Sequence, residues 1–204
     1  MSVHARLVAF VIILAAMAVG LSACAGVEHD TGDHLGSDKA QSAVDKADSI
    51  IDGGSTEADV MFAQMMIPHH EQAVQIADIA LDPARNASPQ VVDLATGIKA
   101  AQDPEITQMN AWLEAQGAPA KMDHSAHGGM EGMLTAQQLD TLADATGTDF
   151  DRLFLEGMIA HHKGAIAMAE DVKARGTDPE IQALADAIIT AQQAEIASMQ
   201  GLLK

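Results

Sequence analysis

Apolar residues recur at helical spacing from Asp59 to about Leu81, on a stripe of Phe62, Met66, Ala73, Ile76 and Ala80 that also carries His69. Ser88-Pro89 then reads as an N-cap with proline at the first helical position. A second helix follows to about Gln116, where Gly117 supplies the stop. Thr135-Ala-Gln-Gln138 has the form of a capping box and predicts a short helix. A third long helix is predicted over about Asp149–Arg175, ended by Gly176, and Asp178-Pro179-Glu180 opens a fourth that runs to the C-terminus. Between them, residues 118–134 ("APAKMDHSAHGGMEGML") show no period and are expected to contribute no core element.

The pattern occurs twice. A shift of 92 positions superposes Asp59, Phe62, Met66, Ile67, His69, His70, Ala73 and Ala77 on Asp151, Phe154, Met158, Ile159, His161, His162, Ala165 and Ala169. A shift of 90 matches Pro89, Leu94, Ile98, Gln102, Glu105, Ile106, Met109 and Leu113 with Pro179, Leu184, Ile188, Gln192, Glu195, Ile196, Met199 and Leu203. The chain therefore reads as two helical hairpins of one design, 56–117 and 135–204, joined by a linker at 118–134. A single hairpin cannot bury both of its apolar faces. Two of them packed about a pseudo-twofold axis make an all-α, ferritin-like four-helix bundle, the predicted fold.

The N-terminus belongs to no helix of that bundle. Residues 1–23 pair a short n-region carrying Arg6 with an apolar run from Leu7 to Val19, the pattern of a secretory signal. The run is too short for a retained transmembrane helix. Leu21-Ser22-Ala23-Cys24 resembles the lipobox of bacterial lipoproteins, which predicts cleavage before Cys24, its lipidation, and an extracytoplasmic protein anchored to the membrane. The bland reading of Cys24 is a small residue near a cleavage site. As the only cysteine it has no partner for an intrachain disulfide. Polar residues 24–55 read as a flexible tether.

Composition sharpens this picture at two points. Twenty-nine acidic against eleven basic residues, net charge −18, argue against nucleic acid and anionic lipid as electrostatic partners. Four Phe, one Trp and no Tyr, against twelve Met, point to helices packed with aliphatic and thioether side chains.

The chemistry lies in Met-Ile-x-His-His, present as Met66, His69, His70 and again as Met158, His161, His162. Met66 reaches His69 and His70 at i+3 and i+4. Adjacent residues point about 100° apart, so one histidine of each pair is expected inward and the other at a helix–helix seam. At ~1.5 Å per residue, His161 lies ~21 Å from the Arg175 end and Glu195 ~24 Å beyond Pro179. The two are thus roughly level across an antiparallel hairpin. Glu105 and Met109, and Glu195 and Met199, face the histidines in this scheme. The residues admit a His–Glu packing network or a metal site. Di-iron bundles carry Glu-x-x-His, and here methionine stands in place of that glutamate. Thioether with imidazole is a softer set that favours copper, as Cu(I) or Cu(II), over iron. Methionine is a poor zinc ligand, which makes zinc the weaker fit, while Met66 and Met158 taken singly read equally as core filler. Met122, His124, His127, Met130 and Met133 in the linker form a possible second metal site, or a flexible linker of incidental composition. Pro68 and Pro104, against Ala160 and Ala194 in the second half, predict kinks in the first hairpin only.

The doubled signature, "FAQMMIPHHEQAVQIA" and "DFDRLFLEGMIAHHKGAIAMA", resembles the domain of unknown function 305 family over about Asp59–Lys204. The resemblance implies a ferritin-like bundle, a secreted or periplasmic location, and for some members copper binding and tolerance. Three functions stay open. One is an extracytoplasmic copper-sequestering or copper-delivering protein, with a metal-exchange partner or a second copy as possible partners. Another is a metal oxidase acting on Cu(I) or Fe(II), for which Asp59, Glu71, Asp151 and Glu156 are the spare carboxylates. The last is an interaction module in which histidine and glutamate only fix packing. No activated nucleophile or phosphate loop points to hydrolase or transferase chemistry.

Overall fold

The computed structural model describes residues 50–51, 55–120 and 130–204. The chain divides into two compact units, Met1–Asp38, which lies outside the described residues, and Lys39–Lys204. The second unit opens with a two-residue antiparallel pair, β1 (Ile50–Ile51) on β2 (Ser55–Thr56). Helices α1 (Glu57–Leu81), α2 (Pro89–Ala115), α3 (Ala136–Asp144), α4 (Gly147–Arg175) and α5 (Pro179–Leu202) follow. The fold is an all-α bundle: α1 and α2 form one hairpin, α4 and α5 the other, and α1 packs on α4 between them. No helix among the described residues is long and apolar enough to cross a membrane.

Local sequence accounts for the helix ends. Ser88 caps α2 through Val91 N, and Asp178 caps α5 through the backbone N–H groups of Glu180 and Ile181. Both helices begin on proline, whose missing N–H costs nothing in the first turn. Thr135 and Gln138 close a full capping box on α3. Gly117 takes φ +66° just past α2, a conformation open to glycine at little cost. Pro68 and Pro104 sit inside helices that continue unbroken through them.

The hairpins are fastened to each other by a repeated aspartate. Asp59 near the start of α1 accepts from the backbone N–H groups of Thr177 and Asp178, at 2.9 and 3.2 Å, in the turn of the second hairpin. Asp151, its counterpart on α4, accepts from Ser88 N at 3.0 Å in the turn of the first. Each carboxylate lies where a helix N-terminus favours negative charge. These contacts correct the expectation that Asp59 and Asp151 are spare carboxylates for a metal: both are engaged in holding the turns.

The core falls into two apolar clusters. One gathers Phe62, Met66, Met109, Leu113, Ala165, Val172 and Ile188. The other gathers Ile76, Ile98, Phe150, Phe154, Met158 and Met199. The 92- and 90-residue shifts carry most members of one cluster into the other, so the repeat axis passes between them. Leu203 departs from this symmetry. Its counterpart Leu113 is fully buried, whereas Leu203 caps the end of α5 and is 40% exposed.

The linker departs from its sequence reading too. Leu134 packs on the second cluster, and the Gln72 side chain pairs with both backbone groups of Leu134, at 2.9 and 2.8 Å. Gly132 and Gly164 allow backbone to cross backbone, since a Cβ on Gly164 would run into the Glu131 carbonyl. Lack of periodicity hid this packing because it rests on two glycines and one glutamine. Gly164→Ala is therefore expected to lower the melting temperature and displace the 130–134 segment. Gly97→Ala, where an added Cβ meets nothing within 4 Å, is expected to stabilise by about 0.5–1 kcal/mol. Thermal unfolding followed by circular dichroism measures both.

Candidate metal centre

Between the apolar clusters lies a polar layer. His69 and His70 come from the middle of α1, and His161 and His162 from the middle of α4; all four are fully buried. The His69 and His161 rings meet across the repeat axis, centroids 3.7 Å apart and planes tilted by 39°. His70 and His162 turn toward the partner helix of their own hairpin. His70 Nε2 lies 2.8 Å from Glu105 Oε2, and His162 Nε2 lies 2.6 Å from Glu195 Oε2. One histidine of each pair thus faces the axis and the other a seam. The glutamate partner is the second histidine of each pair, not the first.

An ionised carboxylate can only accept a hydrogen bond. With the glutamate ionised, Nε2 of His70 and His162 is the donor, and in a neutral ring the lone pair is then on Nδ1. Both Nδ1 atoms are buried without a hydrogen-bond partner. So are both ring nitrogens of His69 and of His161. The Glu131 backbone approaches His69 and offsets part of its shift, but makes no full hydrogen bond to it. Gln102 and Gln192, matched by the repeat, are buried with unpaired Oε1 atoms. Their burial was visible in the sequence only as polar positions on an otherwise apolar stripe.

Burial sets the charge state of the axial pair. Desolvation, with smaller contributions from neighbouring imidazoles, lowers His69 from 6.5 to about 3 and His161 to about 2. Both rings are neutral near pH 7. Met66 and Met158 lie one helical turn away, as do Met109 and Met199 from the glutamates, and all four thioethers are fully buried. Glu105 and Glu195 keep a partly exposed edge, with side chains 19% and 23% accessible.

The donor chemistry fits a soft cation, with neutral imidazole lone pairs beside thioethers. Among the described residues, no three His, Cys, Asp or Glu side chains are arranged as a ready cage. The axial rings of His69 and His161 lie against each other in this arrangement, with centroids 3.7 Å apart. Glu71 is exposed on α1, and Glu156 pairs with Arg152 on the surface of α4. Of the linker positions, Met122, His124 and His127 lie outside the described residues. Met130 and Met133 are partly buried, and Met133 lines a cavity of about 340 Å³ with Gly132, Leu134 and Ala160. Cys24 lies outside the described residues.

Two repeated hairpins, with two His–Glu pairs and four buried thioethers, define a helical bundle that, among the described residues, concentrates its chemistry in a buried histidine layer. A family model, domain of unknown function (DUF305), matches residues 59–203, and the chain belongs to that family. A DUF305 fragment from Deinococcus radiodurans is 34% identical, covers 73% of this chain and 97% of its own, and superposes with a TM-score of 0.67. A DUF305 protein from Streptomyces coelicolor is 31% identical over 72% of this chain and 91% of its own, also at 0.67. CopM in its Cu(II)-bound form is 36% identical over 71% of this chain and 94% of its own, at 0.60. CopM has also been solved in Cu(I)-bound and Ag-bound forms. A curated relative, an uncharacterised protein of Acanthamoeba polyphaga mimivirus, is 45% identical over 53 residues, and the match spans 35% of its length.

The lowered histidine values predict how stability depends on pH. Between 6.5 and about 3 the unfolded chain binds protons that the folded axial histidines refuse. Their contribution is therefore whole above 6.5 and is lost as pH falls below it, by up to about 1.4 kcal/mol per pH unit for each ring. Urea unfolding of the metal-free protein should give a lower midpoint at pH 5 than at pH 7. His161→Gln should reduce that difference.

Proposed function

We propose that this protein binds copper outside the cytoplasm, sequestering or delivering it, and is held at the membrane through a lipidated Cys24. The observation that carries the reading is the layer of four fully buried histidines, with ring nitrogens left unpaired beside buried thioethers. Such orphaned polar groups cost about 1–3 kcal/mol each unless something satisfies them. A soft cation would do so. The likeness to CopM, solved with Cu(I), Cu(II) and silver, supports the same metal.

In this reading the residues divide their work. Met66, Met158 and the unpaired nitrogens of the four histidines would hold the ion. Glu105 and Glu195 would orient His70 and His162 by accepting from Nε2–H, the familiar role of a carboxylate behind a ligating imidazole. Met109 and Met199 stand in reserve on the facing helices. Bound in this way, copper would sit among neutral imidazole and thioether donors, with Glu105 and Glu195 behind the seam histidines. The oxidase reading is the poorer one, since Asp59 and Asp151 hold turns and Glu156 pairs with Arg152. The signal at 1–23 and the lipobox cysteine support the location.

Copper stoichiometry tests the proposal. Replacing His69, His70, His161 and His162 by glutamine is expected to lower the number of Cu(I) ions bound per chain in an anaerobic titration. Wild-type stoichiometry in a folded variant would remove the layer from the reading. His70→Gln alone should weaken binding more than Glu105→Gln, and both should keep the helical circular dichroism signal.

A further inference from the structure

Three methionines lie outside the histidine layer and have no part in the function proposed above. Met61 and Met65 are one turn apart on α1, and Met168 faces them from α4. With Phe62 and Asp171 they line one cavity of about 170 Å³. All three are partly exposed, whereas Met66, Met109, Met158 and Met199 are fully enclosed. Met168 also packs on the edge of the first apolar cluster, so core filling accounts for the enclosed four and for part of Met168, but not for Met61 and Met65.

The internal repeat supplies a control. The 92-residue shift places Leu153, Gly157 and Ile76 at the positions equivalent to Met61, Met65 and Met168. On that face hydrocarbon does the packing. Ile76 is fully buried, and the Leu134 side chain lies 3.3 Å from where a Gly157 Cβ would stand. One fold thus presents the same face twice, once flanked by the linker and lined by Leu134, Leu153 and Gly157, and once lined by three thioethers. Among the described residues, the charged groups lining the methionine cavity, Asp171 and Arg175, are paired with each other. The donors left to a ligand are neutral and soft.

We propose that Met61, Met65 and Met168 form a second metal site, separate from the histidine layer, that takes a monovalent soft cation, Cu(I) or Ag(I). Three thioethers suit such an ion. They suit Zn²⁺, Ca²⁺ and Mg²⁺ poorly, because those ions call for thiolate, imidazole or oxygen ligands. Binding involves no electron transfer: the thioether lone pairs are donated and nothing is oxidised. The site stands or falls independently of the histidine layer.

The test is a titration of the full chain, labelled with ¹³C at the methionine methyls, with Ag(I) in chloride-free buffer. The three methyl signals should move together and stop moving at one equivalent for this site. In Met61→Leu/Met65→Leu/Met168→Leu one Ag(I) per chain should be lost, with the histidine-layer signals responding as in wild type. The proposal is overturned if fewer than three of these methyls respond, or if the folded triple variant keeps the wild-type stoichiometry. Should the triple variant fail to fold, the wild-type titration decides alone. A silent histidine layer beside responding methyls would overturn the function proposed above and leave this site standing.

Discussion

Four imidazoles out of reach of water set the terms for the rest of this bundle. They divide the hydrophobic core into two clusters and place six unpaired ring nitrogens between them. A hydrocarbon layer at the same height would pack without that desolvation cost. What makes the layer tolerable is neutrality. Burial holds the axial rings well below their ordinary protonation range, so no charge is buried with them. The seam histidines gain a carboxylate each, and Glu105 and Glu195 keep an edge in water, which spares them full desolvation.

The rest of the fold holds that layer in register. Asp59 ties α1 to the turn of the second hairpin, and Asp151 ties α4 to the turn of the first. Both ties span the ends of the bundle, while the axial ring pair spans its middle. Because the two hairpins share one design, each fastening appears twice, and the rings of His69 and His161 meet on the repeat axis itself. The linker breaks this symmetry. It crosses over Gly164 and is gripped by Gln72, so one face near the histidines is covered by backbone.

Much of this was legible in the letters. Helical periodicity, the Ser88, Thr135 and Asp178 caps and the doubled Met-Ile-x-His-His gave the elements and their pairing. The rise of a helix put Glu195 level with the histidines. Which histidine it meets was not legible, because neighbours 100° apart can divide axis and seam either way until packing chooses. The role of the repeated aspartates was also hidden. A carboxylate that caps a distant turn and one that binds a metal look alike in sequence. The packing of residues 130–134 rests on absent side chains at Gly132 and Gly164, and absence leaves no period to read.

The central claim is that carboxylates fix the tautomer of the seam histidines and leave Nδ1 ready for a soft cation. ¹⁵N spectra of the imidazoles, recorded on metal-free protein and again after addition of Ag(I), address it directly. His70 and His162 should both carry hydrogen on Nε2 before addition, and their Nδ1 resonances should move on metal binding while the Nε2–H signals persist. Hydrogen on Nδ1 in the metal-free protein, or Nδ1 resonances that ignore the metal, would contradict the account.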